Sequence, residues 1–195
     1  YYAKQDAEKL SGKGDTSQKL TLMKTSADSL KKSADALNDS SLWEKKKIKK
    51  KDEKTGEEIE VEDYDWDKIT KAVKSFVEDY NDVVKEAGES NTKDVLRNAS
   101  WMTGMTDKNS NMLAKIGITI GKGNKLELDE DALKQADISS LKTVFTGYNS
   151  FVSKISQKAT GISNAANRAS ATYTNNGTYS KTDSSLTSSK IDKEV

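Results

Sequence analysis

The sequence predicts a mainly α-helical protein, an antiparallel helical bundle with coiled-coil-like heptad seams plus two small β-hairpins at about 45–63 and 117–128. Apolar residues alternate at spacings of three and four over three long stretches, which is typical of helices that pack along a seam. Proline is absent from all 195 residues, so nothing forces a helix to kink. Two shorter segments surround glycine-containing turns, and this pattern indicates hairpins.

The first seam lies in the N-terminal part of the chain. Residues 1–10 are predicted to form a short helix, which the glycine-containing run at 11–14 ends. Asp15 or Thr16 then caps a longer helix. The buried face of that helix is predicted to consist of Leu20, Met23, Ala27, Leu30, Ala34 and Leu37.

Residues 45–63 predict a charged β-hairpin. A lysine-rich run at 45–51 and an acidic run at 57–63 lie on either side of Gly56, and opposite charges attract across paired strands. A solvated helix with opposite charges four residues apart is the alternative. The β-branched Ile59 and Val61 favour the hairpin. The acidic strand also neutralises the basic run, which argues against a nucleic-acid site.

A second seam predicts the central helix, with Asp65 as its N-terminal cap and Gly88 as its stop. Its apolar positions are Trp66, Ile69, Val73, Phe76, Tyr80, Val83 and Ala87. The following segment, 92–116, is interpreted as one helix weakened around Gly104 or as two helices. The three tryptophans and Met102, Met105 and Met112 occur at helical spacing among apolar residues, which favours core packing over a binding face.

The second hairpin is predicted from two apolar strands, 118–120 and 125–128, around a turn at 121–124. The turn lacks the ending of a phosphate-binding loop and precedes a strand rather than a helix. Asp129 is predicted to cap a short helix through Ala136. The acidic run that begins there lacks the ligand spacing of a calcium loop, so charge at a helix N-terminus is the better interpretation.

The last seam predicts one long helix, which a stop at 175–177 ends. Its apolar positions are Ile138, Leu141, Phe145, Tyr148, Val152, Ile155, Ala159, Ile162, Ala166, Ala169 and Tyr173. Large residues give way to alanine along it, which permits close approach of a neighbouring helix. We therefore predict a partner interface, with packing inside the monomer as the alternative. The predicted interface residues are Ala159, Ile162, Ala166, Ala169 and Tyr173.

The domain prediction is a single helical domain at 1–177 that carries the 45–63 hairpin as an insert. Residues 178–195 are rich in Ser, Thr, Asp and Lys and are predicted to form a polar tail, with a helical turn around 183–190 or a contact with a neighbouring molecule to order it. The chain begins at Tyr1 without a methionine, so we interpret it as a processed protein or a piece of a longer one.

Composition argues against several classes of function. The chain has no histidine and no cysteine, so the usual catalytic base, thiolate nucleophile and commonest metal ligand are missing, and neither a cofactor nor a metal is predicted. A net charge of +1 disfavours nucleic acid or an anionic membrane as the main partner. No apolar run approaches the roughly 20 residues of a membrane span. We also considered paired carboxylates for glycoside hydrolysis beside Trp66, and solvated charge is the better interpretation. These candidates are Glu60, Glu62, Asp63 and Asp65.

Three segments resemble the flagellar hook-associated protein 2 family, the filament cap. The helix at 73–84 is similar to that family's "VxxFVxxYNxLI" pattern, and the run at 94–97 is similar to its "LR" helix start. The stretch 113–133 is similar to "LxxIGIT…GKLxLDExxL", a hairpin followed by a short helix. The resemblance covers mainly residues 66–147. The family's large β-rich domains have no counterpart here except the 45–63 hairpin, and an Ala- and Ser-rich helix replaces the family's charged coiled coil.

The resemblance implies an exported extracellular protein of the bacterial flagellum or cell surface that assembles with protein partners, either itself or flagellin-like subunits. Family members form a ring at the filament tip and help flagellin subunits fold, and some adhere to host mucus. We therefore predict a non-enzymatic structural assembly protein that acts through helix–helix association. The alternative is a surface adhesion or binding module that uses the 45–63 hairpin.

Overall fold

The computed structural model describes residues 14–172 of the chain. Its helices are α1 (Ser17–Asn38), α2 (Trp66–Gly88), α3 (Lys93–Lys108), α4 (Ser110–Ala114), α5 (Glu130–Gln135), α6 (Ile138–Phe145) and α7 (Phe151–Thr172). Its strands are β1 (Lys46–Lys51), β2 (Glu58–Asp63), β3 (Ile118–Ile120) and β4 (Leu126–Leu128), which form two antiparallel hairpins. The predicted fold class is confirmed.

Four of these helices, α1, α2, α3 and α7, form an antiparallel bundle. The most extensive contacts join α1 to α7 and α1 to α2, and α3 packs against α7 and α2. The direction of α7 relative to α1 is fixed by two hydrogen bonds between them. Ser156 and Ser163 each donate at 2.6 Å, to Asp35 and Asp28 respectively. Both the serines and the aspartates are seven residues apart, so this polar pair repeats at the heptad spacing of the seam.

The apolar seams of α1 and α2 are buried as predicted. All six predicted positions of α1 are at most 2% exposed, and in α2 every predicted position after the half-buried Trp66 is at most 1% exposed. Thr16 caps α1 through a hydrogen bond from the Lys19 amide, and Asp65 caps α2 through one from the Lys68 amide. Local capping and periodicity therefore determine both helices.

An aromatic cluster closes the end of the bundle where α1 ends. The Trp43 ring stacks on Phe145, with 5.5 Å between ring centroids, and its Nε1 donates to the Leu37 carbonyl at 2.7 Å. Phe76 contacts both Phe145 and Phe151 edge-on, at 6.4 and 6.3 Å. Such geometries are favourable for aromatic pairs beyond the area that they bury.

The prediction of one continuous helix from 138 to 173 is wrong, because the chain turns between α6 and α7. Gly147 adopts φ = 98°, and its amide donates to the Asn38 side chain at 2.8 Å. Tyr148, predicted in the seam, is 83% exposed. The turn brings Phe145 and Phe151 against the same ring of Phe76, so aromatic packing overrides the helical periodicity.

Residues 92–116 form two helices, and the break lies at Asn109 rather than at Gly104. Gly104 remains helical, while Asn109 leaves the helical conformation and its side chain donates to the Met105 carbonyl at 2.8 Å. Asparagine can satisfy such a carbonyl, which glycine cannot do. Met102 is fully buried, and Met105 and Met112 pack against the core, as predicted.

The second hairpin is fastened to α2 by one side chain. Asn81 donates to the Leu126 carbonyl at 2.9 Å and accepts from the Leu126 amide at 2.7 Å, so it pairs with β4 as a neighbouring strand would. Asp129 then caps α5 by accepting from the Ala132 amide at 2.9 Å. These contacts confirm the hairpin and the short helix at the predicted places.

Asp15 makes a contact that its sequence position does not predict. Its side chain is fully buried and accepts from the Ser90 and Thr92 hydroxyls, at 2.7 and 2.6 Å, and from the backbone amides of Asn91 and Thr92. Burial alone would raise the pKa of this carboxyl, but the hydrogen bonds from Thr92 and Ser90 outweigh it and lower the pKa. Asp15 thus ties the start of α1 to the connection between α2 and α3.

Several predictions lie outside the described residues and stay predictions. These are the helix at 1–10, the break at 11–13, the stop at 175–177, the domain boundary at 177, and the polar tail at 178–195 with its turn at 183–190. Across residues 14–172, no helix is both long and apolar enough to cross a membrane.

Candidate interaction sites

Four of the five predicted interface residues lie on the described part of α7. Ala159, Ile162 and Ala166 are fully buried inside the monomer, and Ala169 is half-buried against the same core. Tyr173 lies outside the described residues. The small side chains let α1 pack closely on α7 within one chain. Their role in binding a partner stays a prediction.

The surface where α3 meets α7 carries an exposed tryptophan. Trp101 is 65% exposed, so the expectation that all three tryptophans pack in the core is wrong for this residue. The Lys158 ammonium group lies over its ring, 4.2 Å from the centroid. This cation–π contact orients the ring on the surface without covering it.

Close packing of the two helices continues along this surface. At Gly161 a Cβ atom would lie 2.5 Å from Oδ1 of Asn98, so glycine at this position leaves room for the Asn98 side chain between the two helices. One turn further along, the Asp94 carboxylate lies 2.8 Å from Arg97 and 3.7 Å from Arg168. We call this surface the α3–α7 face; it comprises Asp94, Arg97, Asn98, Trp101, Lys158 and Arg168.

The first hairpin stands apart from the bundle. Its extensive contacts among the described residues are those between its own strands. Lys46 lies opposite Asp63 and Lys49 opposite Glu60, and the Lys50 ammonium lies 2.5 Å from the Asp63 carboxylate. Lys45 lies over the ring of Tyr64 at 5.7 Å, next to the start of α2. The predicted cross-strand charge pairing is confirmed.

The four carboxylates considered for catalysis have structural partners instead. Glu60 and Glu62 lie opposite lysines of β1. Asp63 accepts from Lys50 and from the Tyr64 amide, and the hydrogen bond from Lys50 is the main cause of its lowered pKa. Asp65 caps α2. Within the described part of the chain, no cluster of three or more acidic residues is placed to hold a metal ion.

The sequence alone predicts only one of the two interaction surfaces. That surface is the hairpin, because its charges segregate by strand. Trp101 was missed because its neighbours in the sequence, Met102 and Met105, follow the apolar face of α3. Trp101 lies three and four residues after Asn98 and Arg97, on the polar side of α3, and that helical spacing is the signal that could have found it.

Comparison with known proteins identifies the family. The family model for the flagellar hook-associated protein 2 C-terminus matches residues 90–194, which is more than half of the chain. No curated protein and no solved structure matches the chain. The match includes the motifs at 94–97 and 113–133 and begins after the one at 73–84. It also includes the Ala- and Ser-rich α7, which we interpreted as a departure from the family. The chain therefore belongs to the flagellar hook-associated protein 2 family, whose members are structural proteins of the flagellar cap.

Proposed function

We propose that this protein acts in flagellar cap assembly by helix–helix association through the α3–α7 face. The exposed Trp101 is the observation that carries the proposal, because tryptophan is strongly enriched among residues that dominate binding energy. Lys158 holds the ring in one orientation, which reduces the entropy lost on binding. The role requires no catalysis.

The proposed partners are other subunits of the flagellum outside the cell, either copies of this chain or flagellin-like subunits. Half-buried Ala169 lies toward the C-terminal end of α7. We include it in the proposed interface together with Tyr173, which lies outside the described residues. The buried Ala159, Ile162 and Ala166 lie beneath it, and the small side chains of the two alanines let α1 and α7 pack closely. Rigid helices present a binding surface more accurately than loops do.

Replacing Trp101 by alanine is expected to weaken partner binding about 30-fold, which corresponds to the roughly 2 kcal/mol of a central tryptophan contact. Purified flagellin from the same bacterium and the chain itself are the two partners to titrate, by calorimetry and by sedimentation respectively. Circular dichroism should show unchanged helix content, because most of the side chain is in solvent.

Tyr148→Ala is the matched control, since it removes another exposed aromatic side chain from the loop before α7. It should leave both affinities unchanged. Equal effects of the two substitutions, or no effect of Trp101→Ala on either partner, would contradict the proposed face.

The isolated β1–β2 hairpin favours a second function, an adhesion or binding module exposed at the surface. The hairpin stands apart from the bundle, and Ile59 is 40% exposed on it. Exposed elements that carry little of the core can vary without loss of the fold, and binding residues are often found there.

Replacement of residues 46–63 by a short Gly-Ser link tests this second function. Since Lys46 lies opposite Asp63, the link joins neighbouring ends. We expect the free energy of unfolding of the bundle to change by less than about 1 kcal/mol. Binding to mucin-coated beads should be lost. Retained binding would show that the hairpin is not the adhesive element.

A further inference from the structure

The β1–β2 hairpin separates its charges by strand. β1 carries five lysines in six residues, and β2 carries four acidic residues in six. Residues 45–63 contain seven basic and seven acidic side chains, so the hairpin is neutral as a whole. Segregation of this kind gives a sheet with one basic edge and one acidic edge.

Both outer edges are open. Among the described residues, β1 and β2 pair only with each other, so each has a row of backbone amides and carbonyls along its outer side that no strand covers. Such edges are templates for pairing with another chain. Single-sign charge normally protects an edge by repelling an identical one, and lysines facing lysines would keep two β1 strands apart. Two β2 strands repel in the same way.

The acidic edge of one copy and the basic edge of another attract each other. Within one hairpin, the lysines of β1 lie opposite acidic residues of β2. Between two copies of this chain, only the pairing of β2 with β1 places opposite charges across the strands in the same way. Successive side chains of a strand alternate between faces, so Ile48, Ile59 and Val61 share one face. A further hairpin added at the edge would extend this apolar face, which is now partly in water.

We infer that copies of this chain associate head to tail through their hairpins, with the acidic β2 of one copy added to the basic β1 of the next. Each copy uses two different edges, so the contact is heterologous and generates a closed ring or an open chain rather than a two-fold dimer. The inference rests on the assembly role proposed above and assigns the hairpin a partner, a second copy, that binds by strand addition.

A charge-exchanged hairpin tests this pairing in the full chain. The five lysines of β1 are replaced by glutamate, and the four acidic residues of β2 by lysine, so each hairpin keeps its internal attraction. The substitutions are Lys46→Glu, Lys47→Glu, Lys49→Glu, Lys50→Glu, Lys51→Glu, Glu58→Lys, Glu60→Lys, Glu62→Lys and Asp63→Lys. A smaller exchange, limited to the positions of the fully charged face (47, 49, 51, 58, 60 and 62), is a second variant if the first does not fold.

The wild-type and exchanged chains should each self-associate, and sedimentation velocity should give similar midpoint concentrations for the two. Mixed together, they should not add to each other head to tail, because the acidic β2 of the wild type would meet an acidic β1; only like strands of the two chains attract. Cross-linking of β2 in one chain to β1 in the other should therefore be at least about tenfold weaker than within each set. Raising the salt concentration from about 0.1 M to about 1 M shortens the screening length from about 10 to about 3 Å. The protein concentration at which half of the wild-type chains are associated should then rise about tenfold.

β2-to-β1 cross-linking that is as strong between the two chains as within each set would overturn the inference, as would a wild-type chain that stays monomeric up to about 1 mM, the range of weak binding. Equal cross-linking with loss of association in Trp101→Ala would assign the contact to the helices, and the proposed function would then stand without the hairpin pairing. Cross-links confined to each set that persist in Trp101→Ala would support the hairpin pairing and reject the α3–α7 face as the contact between copies.

Discussion

Replacing Asp15 by alanine is expected to lower the free energy of unfolding by about 3 kcal/mol. The carboxylate is fully buried and accepts from two hydroxyls and two backbone amides. Its removal leaves the Asn91 amide and the Ser90 hydroxyl without this acceptor, and a buried donor that loses its partner costs about 1–3 kcal/mol, more where a charge was involved. Urea unfolding followed by circular dichroism measures the loss.

Acid should remove the same stabilisation in the native sequence. The folded-state pKa of Asp15 lies below its ordinary value of 3.8. Its contribution is therefore fully present above pH 3.8 and is lost as the pH falls through the folded-state pKa. The stability difference between wild type and Asp15→Asn should be constant near neutrality and shrink below about pH 4. Asp107→Asn, at an exposed position of α3, is the matched control and should change the free energy of unfolding near neutrality by less than about 0.5 kcal/mol. A difference for Asp15→Asn that does not change with pH would contradict the assigned role of the charge.

Asp15 also shows where sequence reasoning ends. Thr16 was a candidate cap because capping is local, and the structure confirms it. The partners of Asp15 lie 75 to 77 residues away, and no spacing rule reports them. The seams of α1 and α2 were predictable residue by residue because burial repeats with the helix. The turn at Gly147 was not, since it depends on Phe145 and Phe151 both reaching Phe76.

The two candidate interaction sites also differ in how far the sequence predicts them. The charges of the β1–β2 hairpin form two runs of consecutive residues, one basic and one acidic. The strands and their pairing can be predicted from these runs. The α3–α7 face depends on how two helices far apart in sequence are rotated against each other, as Gly161 and Asn98 show. The small residues of α7 did indicate close packing, but could not tell a helix of the same chain from a partner.

Two residues of the motif at 73–84 have internal structural roles. Tyr80 donates to the Thr106 hydroxyl at 2.8 Å inside the bundle, and burial raises the pKa of Tyr80 to about 12. Asn81 pairs with Leu126 and so holds β4 on α2. Both contacts join elements of this fold to each other. The motif at 73–84 therefore encodes how the second hairpin docks, whereas the motif at 94–97 contributes Asp94 and Arg97 to the proposed α3–α7 face.

Gly117→Ala is expected to lower the free energy of unfolding by about 3 kcal/mol. The φ of Gly117, 82°, is unfavourable for any residue with a Cβ. That Cβ would also lie 2.6 Å from the Asp129 carbonyl oxygen and 2.9 Å from the Leu133 amide nitrogen, which are backbone atoms that cannot move aside. Strain at one backbone position costs about 1–3 kcal/mol, and the clash with α5 adds to it. Urea unfolding measures the total, and hydrogen exchange of the β3 amides shows whether the hairpin loosens first.

Gly123→Ala separates the two causes, because Gly123 has a similar φ of 68° but nothing within 4 Å of the added atom. It should cost only about 1 kcal/mol, the price of the backbone conformation alone. If the two substitutions cost the same, close approach to α5 does not explain the glycine of the "IGIT" motif. If Gly117→Ala costs more and also loosens β3, the motif preserves the contact between the hairpin and α5, and partner binding by the α3–α7 face should survive in that variant under conditions where it is folded.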